Sequence, residues 1–263
     1  MRYLTPRNRA ILREMVVTNF KVRYQGSALG YLWSLLKPLF MFAIIYVVFT
    51  NVFSLGKEVP HYPVYLLLGI ILWNFFTEAT SIGLNSITSS GDIIRKISIP
   101  RYLIVVASTV SALINLCLNL IVVIVLALIN GVDVRWEWLL LPLVIFELYI
   151  FSQAVAFFLA AFNVKFRDAG YIWEIILQAG FYATPIIYPL TLVPGQFQKL
   201  VLLNPVAQII QDARQLLVWD GTMTIWNTIN SIVMFIPLVT VGITTVVAVM
   251  YFKNRSHTFA EDV

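Results

Sequence analysis

The sequence predicts an all-α, polytopic membrane domain of six spans, preceded by an amphipathic interface helix and carrying a re-entrant hairpin between spans five and six. Three observations predict it. Of the 263 residues, 60% are hydrophobic and 12% charged, whereas a soluble domain carries roughly half its residues apolar and about a quarter charged. Apolar runs long enough to cross a bilayer, which needs about 20 residues, recur along the chain. The Lys and Arg residues gather in alternate connections between these runs, as orientation signals do.

The first element is Pro6 to Tyr24. Ile11, Leu12, Met15, Val16 and Phe20 recur there at helical spacing, with Arg9, Arg13, Glu14, Asn19, Lys21 and Arg23 on the polar faces. That pattern is a helix lying on a membrane surface, serving either for membrane adhesion alone or also as a docking face for a cytosolic partner. Met1 to Thr18 is basic but lacks a long apolar core and a small-residue cleavage site, so it is not read as a removed signal peptide. Gly26 and Gly30 then let the backbone turn sharply into the bilayer, Trp33 anchors at the headgroups, and Pro38 sits early in a helix, where its missing N–H costs least.

The six spans are Trp33 to Phe53, Tyr62 to Leu84, Tyr102 to Ile129, Trp138 to Phe162, Tyr171 to Tyr188 and Ile229 to Phe252. With residues 1–30 as interface helix and turn, 31–252 as bundle and 253–263 as tail, the chain reads as one domain. Of the 18 Lys and Arg residues, only Lys57, Arg135, Lys199 and Arg214 fall in the connections on one side. The asymmetry places both termini in the cytoplasm. Leu190 to Asp220 is too polar for a span and is interrupted by Pro194, Gly195 and Pro205. It reads as two short helices dipping part-way into the outer leaflet, their backbone covered by protein or by a water-filled cavity.

The loops carry the remaining signals. In Ser86 to Arg101, Asp92 is a candidate N-cap, Ile93, Ile94 and Ile97 form an apolar face, Arg95 and Lys96 a charged one, and Pro100 a stop. A short amphipathic helix of this kind serves either as a topogenic loop or as a knob that enters a groove on a partner. In Asn163 to Asp168, Asn163 is expected to end the fourth helix in a left-handed conformation and Asp168 to cap the fifth, leaving Lys165 and Arg167 at the surface.

Several chemistries find no support. No Gly-rich loop followed by Lys and Ser or Thr is present to cradle a nucleotide. His61 and His257 fall on opposite sides of the membrane, and Cys117 is alone, so neither a two-histidine metal site nor an intrachain disulfide is expected. The net charge of +5 is scattered between apolar runs, unlike a nucleic-acid-binding face. Of the acids near the spans, Glu78 and Glu174 lie toward the inner surface and Glu147 lies deep. Glu147 admits three roles: a packing or subunit-interface hydrogen bond, a wall of a hydrated path, or proton coupling.

Four stretches in order closely resemble the permease subunits of polysaccharide ABC exporters, the ABC-2 group that moves O-antigen, capsule and teichoic acid chains. They are Arg23, Tyr24, Ser27, Leu29, Gly30, Trp33 and Pro38; Ile93 to Arg101, where Ile99 replaces the family's typical aromatic; Asn163 to Asp168; and Thr184 to Pro189 with Leu203 to Pro205. The resemblance implies a homodimeric channel in a bacterial cytoplasmic membrane, with two copies of a separate ATP-binding subunit beneath it. ATP and magnesium would be bound by that partner, and this chain would hold no cofactor. A lipid-linked glycan would enter past Leu29 and Gly30 beside Trp33 and slide along Phe181 and Tyr182, whose rings sit too deep for an interfacial belt and suit the apolar faces of sugars. Arg13, Arg23, Ile93, Ile94, Arg95, Lys96 and Arg167 would contact the ATP-binding subunit. The rival readings are an ABC-2 exporter of drugs or small lipids, a proton-coupled transporter using Glu147, and a membrane-embedded glycosyl or acyl transferase. The last lacks clustered loop acids or histidines.

Overall fold

The computed structural model describes residues 5–24, 30, 32–52, 59–96, 99–257 and 259, apart from the side chains of Phe20, Arg23, Tyr24 and Ile93. Among the described residues the chain is helical with no strand. The principal helices are α1 (Pro6–Tyr24), α2 (Leu32–Asn51), α3 (Tyr62–Ser89), α4 (Gly91–Lys96), α5 (Tyr102–Ile129), α6 (Leu141–Lys165), α7 (Ala169–Ala183), α8 (Gly195–Leu202), α9 (Pro205–Leu217), α10 (Ile225–Thr228) and α11 (Ile236–Arg255). Short 3-10 turns precede α6 and α11.

The bundle is built around α3. It packs against α5 and α6 over most of its length, and against α2, α7 and α9 over shorter stretches. Of its most apolar window, 72% is buried, against 11% for α2. Small side chains let α6 approach closely: a Cβ on Gly83 would meet the Ala156 Cβ at 2.5 Å, the kind of contact that substitutes for hydrophobic exclusion inside a bilayer. α11 covers the far side of α6, and α1 lies along α5. The face of α1 that meets the bundle is the one its spacing marks as apolar: Ile11, Leu12, Met15 and Val16 are half-buried, and Arg9, Arg13, Glu14 and Asn19 are exposed.

Of the six expected spans, five coincide with helices among the described residues that are long and apolar enough to cross a membrane. The fifth of the six expected spans, Tyr171 to Tyr188, is helical only to Ala183. Pro185 disfavours helical backbone at Thr184 and lacks an N–H, so the chain leaves α7 extended (Thr184 ψ 138°). At about 1.5 Å per residue, the 15 residues of α7 cover only part of a bilayer. The two short helices expected in Leu190 to Asp220 are present as α8 and α9. Asn204 caps α9 by accepting from the Val206 N–H at 3.0 Å, and α9 is buried on nearly every face.

Three capping expectations are also corrected. Asn163 does not end the fourth helix, which runs to Lys165. Its side chain is buried instead, with Nδ2 donating to the Leu84 carbonyl at 3.2 Å; this bond across to α3 wins over a local cap. Asp168 precedes α7 without a capping hydrogen bond. Asp92 lies inside the first turn of α4, which begins at Gly91.

Candidate functional site

One face of α3 carries Asn74, Thr77, Glu78, Ser81 and Asn85, a spacing of three and four residues that aligns them as a stripe. Four are half-buried and Asn85 is exposed, so the stripe is neither packed away nor on an outer surface. Two clefts flank it and share Asn74, Thr77 and Ser81. Together they form a trough along one side of the bundle.

The larger cleft, about 800 Å³, lies between α3 and α7, with Met41 of α2 on its edge. The face that α7 turns to it is mixed polar and aromatic: Tyr171, Trp173, Glu174, Gln178, Phe181 and Tyr182. Its rings are held from behind. Trp173 Nε1 donates to Thr80 Oγ1 at 3.1 Å, Phe181 packs edge-on against Trp73 with centroids 6.3 Å apart, and Tyr182 stands edge-on to Phe181 at 5.4 Å. Tyr182 is 68% exposed, and the Tyr188 hydroxyl donates to its carbonyl at 2.9 Å. Arg167 lines the other end of this cleft.

The smaller cleft, about 550 Å³, is walled by α2, α3 and α5. Trp33, Ser34 and Lys37 form one side, and Asn115 and Asn119 the other. Asn115 Nδ2 donates to Glu78 Oε1 at 2.8 Å. Asn119 Nδ2 donates to the Asn115 carbonyl at 2.8 Å and to the Ser34 carbonyl at 3.3 Å, tying α5 to the start of α2. The Thr77 hydroxyl is buried without a protein partner.

The structure therefore gathers Arg167, Phe181 and Tyr182 into one cleft and Trp33 into the adjoining one. Gly30, at the entry to α2, has φ 48°, a conformation that favours glycine, as the expected turn requires. Leu29, Ile97 and the side chains of Arg23 and Ile93 lie outside the described residues. Arg13 is exposed on α1, and Arg95 and Lys96 are exposed on α4. Ile94 is half-buried and packs inward, against a cluster that includes Ile87, Ile104 and Phe252. Glu147 lines neither cleft. It faces α9, beside Gln208 and Asp212, and its Oε1 has no hydrogen-bond partner.

Sequence reasoning missed Asn115 and Asn119, although two amides four residues apart inside an apolar run are a signal in themselves. It also missed Arg214, counted only as a loop cation. Arg214 is fully buried. Its Nε donates to the Tyr65 carbonyl at 3.1 Å, Nη1 to the Pro185 carbonyl at 2.5 Å and to Gln211 Oε1 at 2.9 Å, and Nη2 to the Ile186 carbonyl at 2.6 Å. The guanidinium lies over the Tyr65 ring at 3.5 Å. Pro185 ends α7 and leaves carbonyls without helical partners; Arg214 satisfies two of them and clamps α9 to α3 and to the end of α7.

Comparison with known proteins identifies the family of the chain. The family model for the ABC-2 type transporter matches residues 12–218. The chain is 30% identical over 251 residues to an O-antigen export system permease protein, RfbA, of Klebsiella pneumoniae, covering 94% of this chain and 93% of the relative. It is 30% identical over 204 residues to the protein of the same description from Myxococcus xanthus, covering 77% and 78%. To the polysialic acid transport protein KpsM of Escherichia coli it is 21% identical over 222 residues, covering 84% and 86%. With its apolar helices and a family match spanning most of its length, this chain is a multi-pass membrane protein that belongs to the ABC-2 type transporter family.

Proposed function

We propose that this chain is the membrane-spanning subunit of an ATP-driven exporter that moves a lipid-linked polysaccharide across a bacterial cytoplasmic membrane. The observation that carries this reading is the trough: a polar stripe on α3 bordered by Trp73, Phe181 and Tyr182. A sliding glycan needs a surface that holds it without trapping it. Rings stack on the apolar faces of sugars, and the amides and hydroxyls of Asn74, Thr77, Ser81 and Gln178 exchange hydrogen bonds with sugar hydroxyls at little net gain or cost. The relatives' names point to the same class of cargo.

An open trough on one protomer is half a channel. A second copy facing it would close it, burying apolar side chains of α2 that stand exposed, such as Phe40, Ile44 and Val47. α1 and the end of α11 share one side of the bundle, where Arg7 and Lys253 line one cleft. That side faces the cytoplasm, and α7 with the extended chain after it completes a sixth, partly non-helical crossing. The nucleotide and its magnesium belong to a separate ATP-binding subunit that docks against α1, α4 and the loop at Arg167, and this chain performs no chemistry of its own. Glu147, turned toward α9 and away from the trough, is poorly placed to couple protons to cargo.

Tyr182 is the side chain on which to test the reading, because it is exposed while Phe181 also packs on Trp73. In the reconstituted assembly with its ATP-binding subunit, Tyr182→Ala should slow ATP-dependent export of a lipid-linked glycan about 3- to 10-fold, the strength of one aromatic contact. Thermal stability and subunit retention should not change. Export unaffected by Tyr182→Ala, or export by this chain without its partner and ATP, would overturn the proposal. Equal slowing of a small lipophilic cargo would favour an exporter of drugs or small lipids.

A further inference from the structure

A second cavity, separate from the trough, lies at the end of the bundle where α1, α4, the start of α5, the body of α6 and the end of α11 meet. It encloses about 1030 Å³. Five permanent cations converge on it from four elements: Arg7, Arg95, Lys96, Arg101 and Lys253. Among the described residues no Asp or Glu lines it. The floor is apolar, made by Ile94, Ile99, Phe157, Val249 and Phe252, with Phe157 and Phe252 in contact at 4.9 Å between ring centroids. Asn8 Nδ2 donates to the Tyr102 hydroxyl at 3.2 Å, fastening α1 to α5 along the edge.

Like charges crowded around one cleft raise its potential and draw in anions. The depth of the floor decides which anion. Val249 lies one turn before Lys253, about 6 Å along α11, and Phe157 lies eight residues before the end of α6, about 12 Å. The cleft thus runs from a cationic rim to walls that belong to the apolar part of two spans. A free phosphate would use the rim and leave the floor wet. An acidic peptide would have to carry unpaired backbone to hydrocarbon depth, where each unsatisfied group is costly. A glycerophospholipid matches both parts, and basic pockets between the ends of spans suit such headgroups.

We propose that this cleft is a binding site for an anionic phospholipid of the adjacent leaflet. Its phosphate lies among Arg7, Arg95, Lys96, Arg101 and Lys253, and its glycerol and upper acyl carbons lie against Phe157, Val249 and Phe252. The occupant joins α4 to α1 and α11 through one ligand, so it braces the short α4 helix. The site stands on its own charges and depth, and it shares Arg95 and Lys96 with the face proposed for the ATP-binding subunit, so lipid and partner are tested separately.

The test is native mass spectrometry of the full-length chain in phosphatidylcholine nanodiscs titrated with phosphatidylglycerol. The wild-type chain should retain phosphatidylglycerol and not phosphatidylcholine. Arg101→Gln with Lys253→Gln should weaken retention about 30-fold, the effect of two cations beside an anionic headgroup. Arg9→Gln with Lys165→Gln, cations of the same end outside the cleft, should weaken it less than about twofold. Lys253→Gln alone keeps the test available if the double variant does not fold. Equal loss in the control pair, or retention indifferent to headgroup charge, would overturn the site. So would displacement of the lipid by soluble diphosphate, which would mark a simple anion site. Displacement by a polyprenyl diphosphate at far lower concentration would assign the cleft to a carrier lipid, and expulsion of the lipid by the ATP-binding subunit would assign it to a protein contact; either refutes the proposal.

Discussion

Gly69→Ala sets two physical effects against each other with opposite signs. Gly69 lies inside α3, where alanine is favoured over glycine by about 1 kcal/mol, so propensity alone predicts a more stable protein. The structure predicts the reverse. A Cβ at position 69 would overlap Arg214 Nη2 and stand 3.3 Å from the Ile186 carbonyl, in the gap the guanidinium fills. Displacing the guanidinium breaks its bond to the Ile186 carbonyl and disturbs the one to the Pro185 carbonyl, both outside helices. Hydrogen bonds to a charged group contribute about 1.5–3 kcal/mol each. Losing one to two of them outweighs the propensity gain and leaves a net loss of about 0.5–5 kcal/mol. Thermal unfolding in detergent micelles should show the drop. In an Arg214→Met background the clash is relieved, so Gly69→Ala should become neutral or mildly stabilising, and the cycle isolates the coupling. A Gly69→Ala protein as stable as the parent, or equal effects in both backgrounds, would refute the clamp assigned to Arg214.

Two further outcomes are expected. Glu147→Gln should keep export within a few-fold and leave unfolding unchanged or slightly raised: the new amide can donate toward the partnerless Asp212 Oδ1 and Gln208 Oε1, and complete loss of export with normal assembly would favour proton coupling through Glu147. Arg95→Glu with Lys96→Glu exchanges attraction for like-charge repulsion on the exposed face of α4, a change that can cost several kcal/mol at an acidic partner surface. The ATP-binding subunit should then be lost on purification while a topology reporter in the loop reads as in the parent. Retention at unchanged affinity would return α4 to a purely topogenic role.

The spans were legible where hydropathy and helix coincide, and less so where they part. Tyr102–Ile129 is helical over the bounds its apolar run suggests. α3 outlasts its apolar run from Leu84 to Ser89, because the polar residues that follow contain no Pro or Gly until Gly91. Ser86, Thr88 and Ser89 return their hydroxyls to carbonyls of the preceding turn, which satisfies those polar groups without ending the helix. α7 fails the opposite way: its apolar run continues past Pro185 but its helix does not. Composition measures what lipid tolerates, and backbone chemistry decides where a helix stops. Asn163 adds a third kind of miss, since a residue that reads as a cap from its neighbours is claimed by a carbonyl distant in sequence, that of Leu84.

The candidate site was half legible for a related reason. Phe181 and Tyr182 stood out because aromatic rings deep in a span are unusual, but the polar stripe of α3 was diluted by the apolar residues around it. Which face of a span meets protein is hidden when lipid and protein interior are equally apolar. α2 and α3 both pass as spans, yet 11% of one window is buried and 72% of the other. The polar residues themselves resolve the ambiguity. An amide or carboxylate facing hydrocarbon is costly, so a span carrying Asn74, Thr77, Glu78 and Ser81 must turn that stripe toward protein or water. α3 is the least apolar of the five long helices and the most buried, the inverse of the rule for soluble proteins. α5 follows the same logic: Asn115 and Asn119 are buried against α3 and α2, while Ile121, Val125 and Leu128 face outward. In a bundle of this kind the transport face can be sought from sequence by asking which spans carry polar residues at helical spacing, since those are the faces that lipid cannot cover.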